Sequence, residues 1–387
     1  MSATRRAFMS LLLASLATAL PLHAASLAGL AEVTVPVEDQ STSERQAAME
    51  TALGEILVRL SGSAEVLESS ASDELLRSPA RYVQRFRYEN RTVLATPEAA
   101  SGLRVEPVET RQLVLHATFD VDALERRLRS YGLPVWGRER PRTLVLMAVD
   151  DPRAGRNVIG RDHGLAQAWE QAGQRRGVPL MLPAMDGEDS GRIAVMDIWG
   201  VFEEPLLAAA DRYDPNATLV VSAWPANNSS WALRGTLLRE GETSQRWELQ
   251  GKTLESAVSA LVDTLAETYA REFAVAANGG GFSLAGNTVD MEIRDLSSLD
   301  GYATVVDYIG GLSAVESVQV TRVASDRIHL SVNLRGSREA LEKAIALGRM
   351  LEPLRETSTA TISLGDIASM EGMDFSQPAA LVYRYRL

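Results

Sequence analysis

Seven successive residues, Thr143-Leu144-Val145-Leu146-Met147-Ala148-Val149, carry no alternation of polar and apolar side chains. A strand with one wet face alternates, because successive side chains point to opposite faces. An unbroken apolar run fits a strand covered on both faces, which calls for helices above and below a largely parallel sheet. The flanking pattern agrees. Residues 165–176 have a helical period and stop at Gly177. Val178-Pro179-Leu180-Met181-Leu182 reads as a second strand, with Pro179 confined to its start or to an edge. Residues 203–213 read as a helix and 217–224 as a third strand. A hairpin over 231–239 and 244–249 turns at Glu240-Gly241-Glu242, and a long helix over 254–276 closes the unit. This predicts a central mixed α/β sheet domain over 138–277.

Two α+β units flank it. Glu32-Val33-Thr34-Val35-Pro36-Val37 alternates as a strand. Ala48, Ala52, Leu53, Ile56, Leu57 and Leu60 then recur at helical spacing, with Ser43 as the expected N-cap and Gly62 as the stop. A second helical stretch near 73–77, strands at 81–88 and 112–119 separated by a loop at 95–102, and a helix over 121–131 complete an N-terminal α+β domain, 26–137. Arg138-Glu139-Arg140-Pro141-Arg142 reads as a charged linker and Gly279-Gly280-Gly281 as a flexible one. Strand 289–294, helix 298–309, strands 315–322 and 327–333, and helix 338–347 give a βαββα order. That order predicts a ferredoxin-like α+β domain over 283–387, with the tail Leu381-Val382-Tyr383-Arg384-Tyr385 added as an edge strand. The fold class is thus α/β and α+β in three modules.

The N-terminus predicts export. Arg5 and Arg6 precede an apolar run over 7–20, Pro21 breaks it, and Ala24 and Ala25 mark the cleavage site of a signal peptide, 1–25. That run falls short of the ~20 residues needed to span a bilayer. Thr4-Arg5-Arg6-Ala7-Phe8-Met9 leaves the secretory and twin-arginine routes both open. The expected location is the periplasm. The chain has no Cys, which excludes a lipid anchor and disulfide staples, so stability must come from hydrophobic cores. Loss of Arg5 and Arg6 with a leader that holds no acidic residue takes the formal charge from −12 to −14. That balance argues against nucleic acid and against a polybasic lipid-binding surface.

Several runs carry a resemblance: 33–37 with 47–62, Ser78-Pro79-Ala80-Arg81-Tyr82-Val83-Gln84, Gly132-Leu133-Pro134-Val135-Trp136, the 140–146 junction, and Asp197-Ile198-Trp199-Gly200 with 208–213. Together they resemble domain of unknown function 2066, an uncharacterised bacterial family. The resemblance spans most of the mature chain and implies no activity.

No motif assigns a reaction. Asp150 and Asp151 end the central strand, where open α/β sheets place ligands, and Asp162-His163 follows before a helix. A carboxylate pair there suits a divalent cation, or an Asp could orient His163 as a base. The plainer reading is a polar loop in which Pro152 and Gly155 turn the chain and Asp162 caps the helix. His116 and His329 sit in strand patterns, and with no Cys no transition-metal site is expected. No cofactor is expected either. Asp186-Gly187-Glu188-Asp189 lacks an EF-hand ligand series and reads as a solvated turn. The glycine run lacks the GK[ST] of a phosphate loop, and no G-x-S-x-G elbow is present. Trp224 and Trp231 flank Asn227-Asn228-Ser229-Ser230, an expected exposed binding loop. The leading expectation is a non-catalytic envelope protein that engages a periplasmic protein or a cell-wall glycan. The alternative is a metal-dependent or acid/base hydrolase built on Asp150, Asp151 and His163. A third reading, a small-molecule binder, requires a deep cleft between the first two domains.

Overall fold

A computed structural model describes residues 27–95, 108–227, 229–276, 288–354 and 380–386. The expected leader with Ala24 and Ala25, most of the 95–102 loop, Asn228 and the Gly279-Gly280-Gly281 linker lie outside the described residues. The first domain opens with helix α1 (Leu27–Ala31), strand β1 (Glu32–Pro36) and helix α2 (Thr42–Ser61). Helix α3 (Ser70–Leu76), strands β2 (Val83–Ala95) and β3 (Val108–Phe119) and helix α4 (Val121–Ser130) follow. The sheet is antiparallel, in the order β1-β3-β2. Val33, Val35, Leu115 and Ala117 face α2, which buries Ala52, Leu53, Ile56, Leu57 and Leu60. Ser41, rather than the expected Ser43, caps α2. Its backbone is extended and its Oγ accepts the Glu44 N–H, whereas Ser43 already lies in the first turn. Gly62 ends α2 at φ 81°, in the left-handed region.

The central domain contains strands β4 (Thr143–Asp151) and β5 (Gly155–Ile159), helix α5 (Ala166–Arg176) and the two-residue strand β6 (Leu180–Met181). Short helices α6 (Gly187–Arg192), α7 (Val195–Gly200) and α8 (Glu203–Ala210) come next. Strands β7 (Ala217–Asn227), β8 (Ser230–Leu238) and β9 (Gln245–Gly251) and helix α9 (Leu254–Phe273) complete it. The order is β5-β4-β7-β8-β9, with β6 also on β4. The apolar run is indeed the strand covered on both faces. Val145 and Met147 pack under α5 and α9, while Leu144, Leu146 and Ala148 pack under α6 to α8. Only β4–β7 and β4–β6 are parallel, so the sheet is more antiparallel than its helix–strand alternation suggested. The 178–182 strand shrinks to β6; Pro179 has no N–H to give and contributes only its carbonyl, which accepts from Thr143. The chain after β4 turns straight back as β5 rather than looping to a helix. Asp151 Oδ1 accepts the N–H groups of Arg153 and Ala154, and Gly155 takes φ 74°, which together close that turn.

The charged linker is solvated at Arg138 but buried at Arg140. Arg140 is 4% exposed, and its guanidinium donates to the carbonyls of Arg59, Trp136, Gly137, Arg176 and Gly177. Those carbonyls include the C-terminal ends of α2 and α5, which favour a cation. Trp136 leaves the first core and packs in the second, with its ring 6.3 Å from that of Tyr269. Val135 and Val275 exchange backbone hydrogen bonds beside it.

The third domain has strand β10 (Thr288–Arg294), helix α10 (Leu299–Gly311), strands β11 (Val315–Val323) and β12 (Arg327–Leu334) and helix α11 (Arg338–Leu347). Two further strands, β13 (Leu351–Pro353) and β14 (Leu381–Tyr385), complete the order β11-β12-β10-β14-β13. The βαββα half is ferredoxin-like in order. The tail is not at the edge as expected. β14 inserts parallel to β10 and pushes β13 outward, because Leu381 and Tyr383 are apolar enough to join the core.

Candidate functional site

The residues proposed from sequence scatter. Asp150 accepts from Arg156 Nε at 3.1 Å. Asp151 holds its own turn, and the N–H groups of Ala154 and Arg153 keep its carboxyl below the usual range. His163 is exposed, and its Nδ1 accepts the Leu165 N–H. Asp162 does not cap α5, whose first helical residue is Ala166. Asp150, Asp151 and His163 therefore share no hydrogen bond. Among the described residues no group of three or more His, Asp or Glu is placed to hold a metal ion.

Within Asp186-Gly187-Glu188-Asp189, Asp186 and Glu188 are exposed as expected, whereas Asp189 is buried. Asp186 caps α6, and Arg212 pairs with Asp186 and Asp189. Asp189 is buried and accepts from the Met185 N–H and the Tyr213 hydroxyl. The segment is a structural anchor between α6 and the end of α8.

What does converge lies on one sheet face at the carboxyl ends of β4 and β7. β5 sets Arg156 opposite Asp150, and β8 sets Arg234 opposite Ser222, two residues before Trp224. Helix α7 covers this face and ends at Val201 in a left-handed conformation, which presents Trp199 over the strand ends. The Trp199 and Trp224 ring centroids are 6.2 Å apart with the planes tilted by 57°. Arg156 lies 4.1 Å from the Trp199 centroid and Arg234 6.0 Å from that of Trp224, both within reach of the negative ring face. Arg234 also donates to the Trp199 carbonyl at 3.2 Å. Asp150, Arg156, Trp199, Trp224, Pro225 and Arg234 enclose an open cleft of about 390 Å³. Trp231 does not join it. Trp231 packs on the α9 core instead.

Two larger hollows lie between domains. One, about 720 Å³, separates α8 and β8 from α11, with Arg239, Glu272 and Lys343 on its walls. The other, about 660 Å³, is an open groove along α2 with Val58, Leu67 and Leu76 on one side and Arg175 and Asp263 on the other. It lies between the first two domains, where burial raises the Glu55 carboxyl above its ordinary range.

Sequence reasoning found Asp150 and Trp224 but not Arg156, Trp199 or Arg234. Arg156 was legible only if the Pro152–Gly155 turn had been read as a hairpin. Arg234 follows from strand parity, since 232, 234, 236 and 238 share the face of Trp224. Trp199 requires knowing where α7 lies.

Residues 24–137 match the model of a domain of unknown function, DUF8605. Comparison with curated proteins finds no match. Among solved structures, the S. aureus homoserine dehydrogenase is similar over 30% of this chain and 29% of its own, at 14% identity and a TM-score of 0.12. So partial an overlap bears on neither fold nor activity. Over those residues the chain is therefore similar to an uncharacterised family, DUF8605.

Proposed function

We propose that this chain is an exported, non-catalytic envelope protein that binds a periplasmic protein or cell-wall component through the Trp199–Trp224 cleft. One observation carries the reading: a tilted aromatic pair, rimmed by two guanidinium groups and a carboxylate, opens to solvent at the strand ends of the central sheet. Aromatic and Arg side chains are the commonest anchors of binding surfaces. The separation of Asp150, Asp151 and His163 supports binding over hydrolysis by those residues. Among the described residues no helix is long and apolar enough to cross a membrane. Kinship with domain of unknown function 2066 over most of the mature chain belongs to this proposal and rests on the runs at 33–37, 47–62, 78–84, 132–136, 140–146, 197–200 and 208–213.

The test has two arms. Fractionation and N-terminal sequencing are expected to find a periplasmic chain that begins near Ala25. A cytoplasmic chain with its leader intact removes the envelope from the reading. A photo-cross-linking side chain at Pro225 is expected to capture one defined envelope component. No cross-link there, with efficient cross-linking elsewhere on the surface, defeats the binding role.

A further inference from the structure

Resting on that binding role, we infer that the Trp199–Trp224 cleft takes an uncharged saccharide ring. The cleft, about 390 Å³, lies within the ~300–1,000 Å³ of small-ligand sites. Its two aromatic walls differ. The Arg156 guanidinium, 4.1 Å from the Trp199 centroid, already covers a face of that ring. Arg234 stands off at 6.0 Å from Trp224, which leaves the Trp224 ring as the open platform. A pyranose has an apolar face of C–H groups that suits such a platform. A cation does not suit it, because two guanidinium groups already stand there.

The polar groups narrow the class further. Asp150 Oδ2 takes the Arg156 Nε–H, and among the described residues its Oδ1 has no partner. Arg234 gives one nitrogen to the Trp199 carbonyl, while its Nε is buried without a partner. A ligand that completes the cleft must therefore donate to Asp150 and accept from the free guanidinium nitrogens. A hydroxyl does both. A proline-rich peptide, the other ligand that favours Trp surfaces, offers carbonyl acceptors but no N–H at its prolines, and leaves Asp150 unmet. Asp150 pairs with Arg156, which leaves Arg234 as the one unneutralised charge among the residues that line the cleft. The Asp150 carboxylate in that lining opposes an acidic ring and leaves a neutral one favoured.

Calorimetry and Trp fluorescence on the mature full chain test this with maltotriose, chitotriose, trigalacturonate and a polyproline peptide. A neutral trisaccharide is expected to bind, and Trp224→Ala to weaken it about thirtyfold, the scale of a truncated hot-spot aromatic. Asp150→Asn is expected to weaken it about tenfold through one charge-assisted hydrogen bond. Both side chains are partly exposed, so unchanged thermal melts show that the variants stay folded. The inference falls if neither neutral trisaccharide binds, if trigalacturonate binds more tightly, or if Trp224→Ala leaves binding intact. Polyproline binding lost in Trp224→Ala overturns the saccharide and leaves the binding role standing. The binding role itself falls with the cross-linking result at Pro225.

Discussion

The Arg140 guanidinium stacks 4.0 Å from the centroid of the Trp136 ring, where the first two domains meet. Each of its nitrogens donates to a main-chain carbonyl, and no carboxylate lies within ion-pair distance among the described residues. Burial pushes the group down to about 9, so it is still charged at neutral pH, and the carbonyls at the ends of α2 and α5 offset its desolvation. Arg59 and Arg176 are buried nearby and also reach main-chain carbonyls, those of Gly29, Leu30 and Glu32 for Arg59 and that of Gly62 for Arg176. The junction is therefore tied by hydrogen bonds from the second domain to main-chain carbonyls of the first.

Arg140→Met keeps the length of the side chain and removes every donor. The expected cost is about 3–5 kcal/mol, the range for breaking a buried charged network by deleting one member. Arg140→Lys should recover little, since an ammonium cannot span carbonyls that diverge in one plane. Urea unfolding followed by Trp fluorescence reads both, with a single transition splitting in two as the first domain uncouples.

Gly62 is the second weak point of that junction. It sits at φ 81°, and a Cβ there would lie 2.3 Å from the Ala270 Cβ and 2.9 Å from the Trp136 ring. Gly62→Ala should cost about 2–4 kcal/mol, adding the left-handed strain to the overpacking. Pairing it with Ala270→Gly should recover only the part due to the Ala270 methyl, leaving the Trp136 contact and the left-handed strain. Thermal melts of the single and double variants separate the two contributions.

The fold was legible wherever a pattern was local. The unbroken run at 143–149 placed the covered strand, and the stripe from Ala48 to Leu60 placed α2. Some misreadings were local, such as Ser43 for Ser41 at the α2 cap, but the larger ones depended on what a residue meets across the fold. Arg140 is charged and so reads as solvated, yet helix-end carbonyls from two domains surround it. Asp189 reads as part of a solvated turn and is buried because Arg212, Tyr213 and Met185 close over it. The cleft was half legible for the same reason. Asp150 and Trp224 end strands recognisable in the sequence, whereas Trp199 reaches them only through the placement of α7.

The Arg212 cluster predicts how the protein meets acid. The guanidinium holds the Asp186 carboxyl far below its ordinary value of 3.8. A carboxylate depressed on folding contributes stability in full above its unfolded pKa and loses it progressively as pH falls from there through the depressed folded value. Arg212→Gln should therefore lower the melting temperature at neutral pH. It should also flatten the decline below about pH 3.8, so that the gap between the two proteins narrows steadily as the pH falls further. Parallel melting curves at every pH would show that the pair contributes no proton-linked stability.

The tail strand makes the sharpest contrast between the architecture expected and the one found. An edge strand can be removed with little harm, because its loss exposes a single ladder. β14 instead separates β10 from β13, and its Leu381 and Tyr383 are 9% and 4% exposed. Termination after Ala380 removes that apolar surface, about 1.5–3 kcal/mol for each of the two side chains. It also strips backbone partners from β10 on one side and from β13, including the Leu354 N–H bond to the Val382 carbonyl. A module of this size holds only a few kcal/mol in reserve. The truncated chain is expected to lose the cooperative unfolding of its third domain, which becomes protease-sensitive from Thr288 onward. The first two domains, whose cores are separate, should melt as before. Calorimetry with limited proteolysis decides it: a third domain that still melts cooperatively without residues 381–387 would mean that β14 contributes no more than an edge strand does.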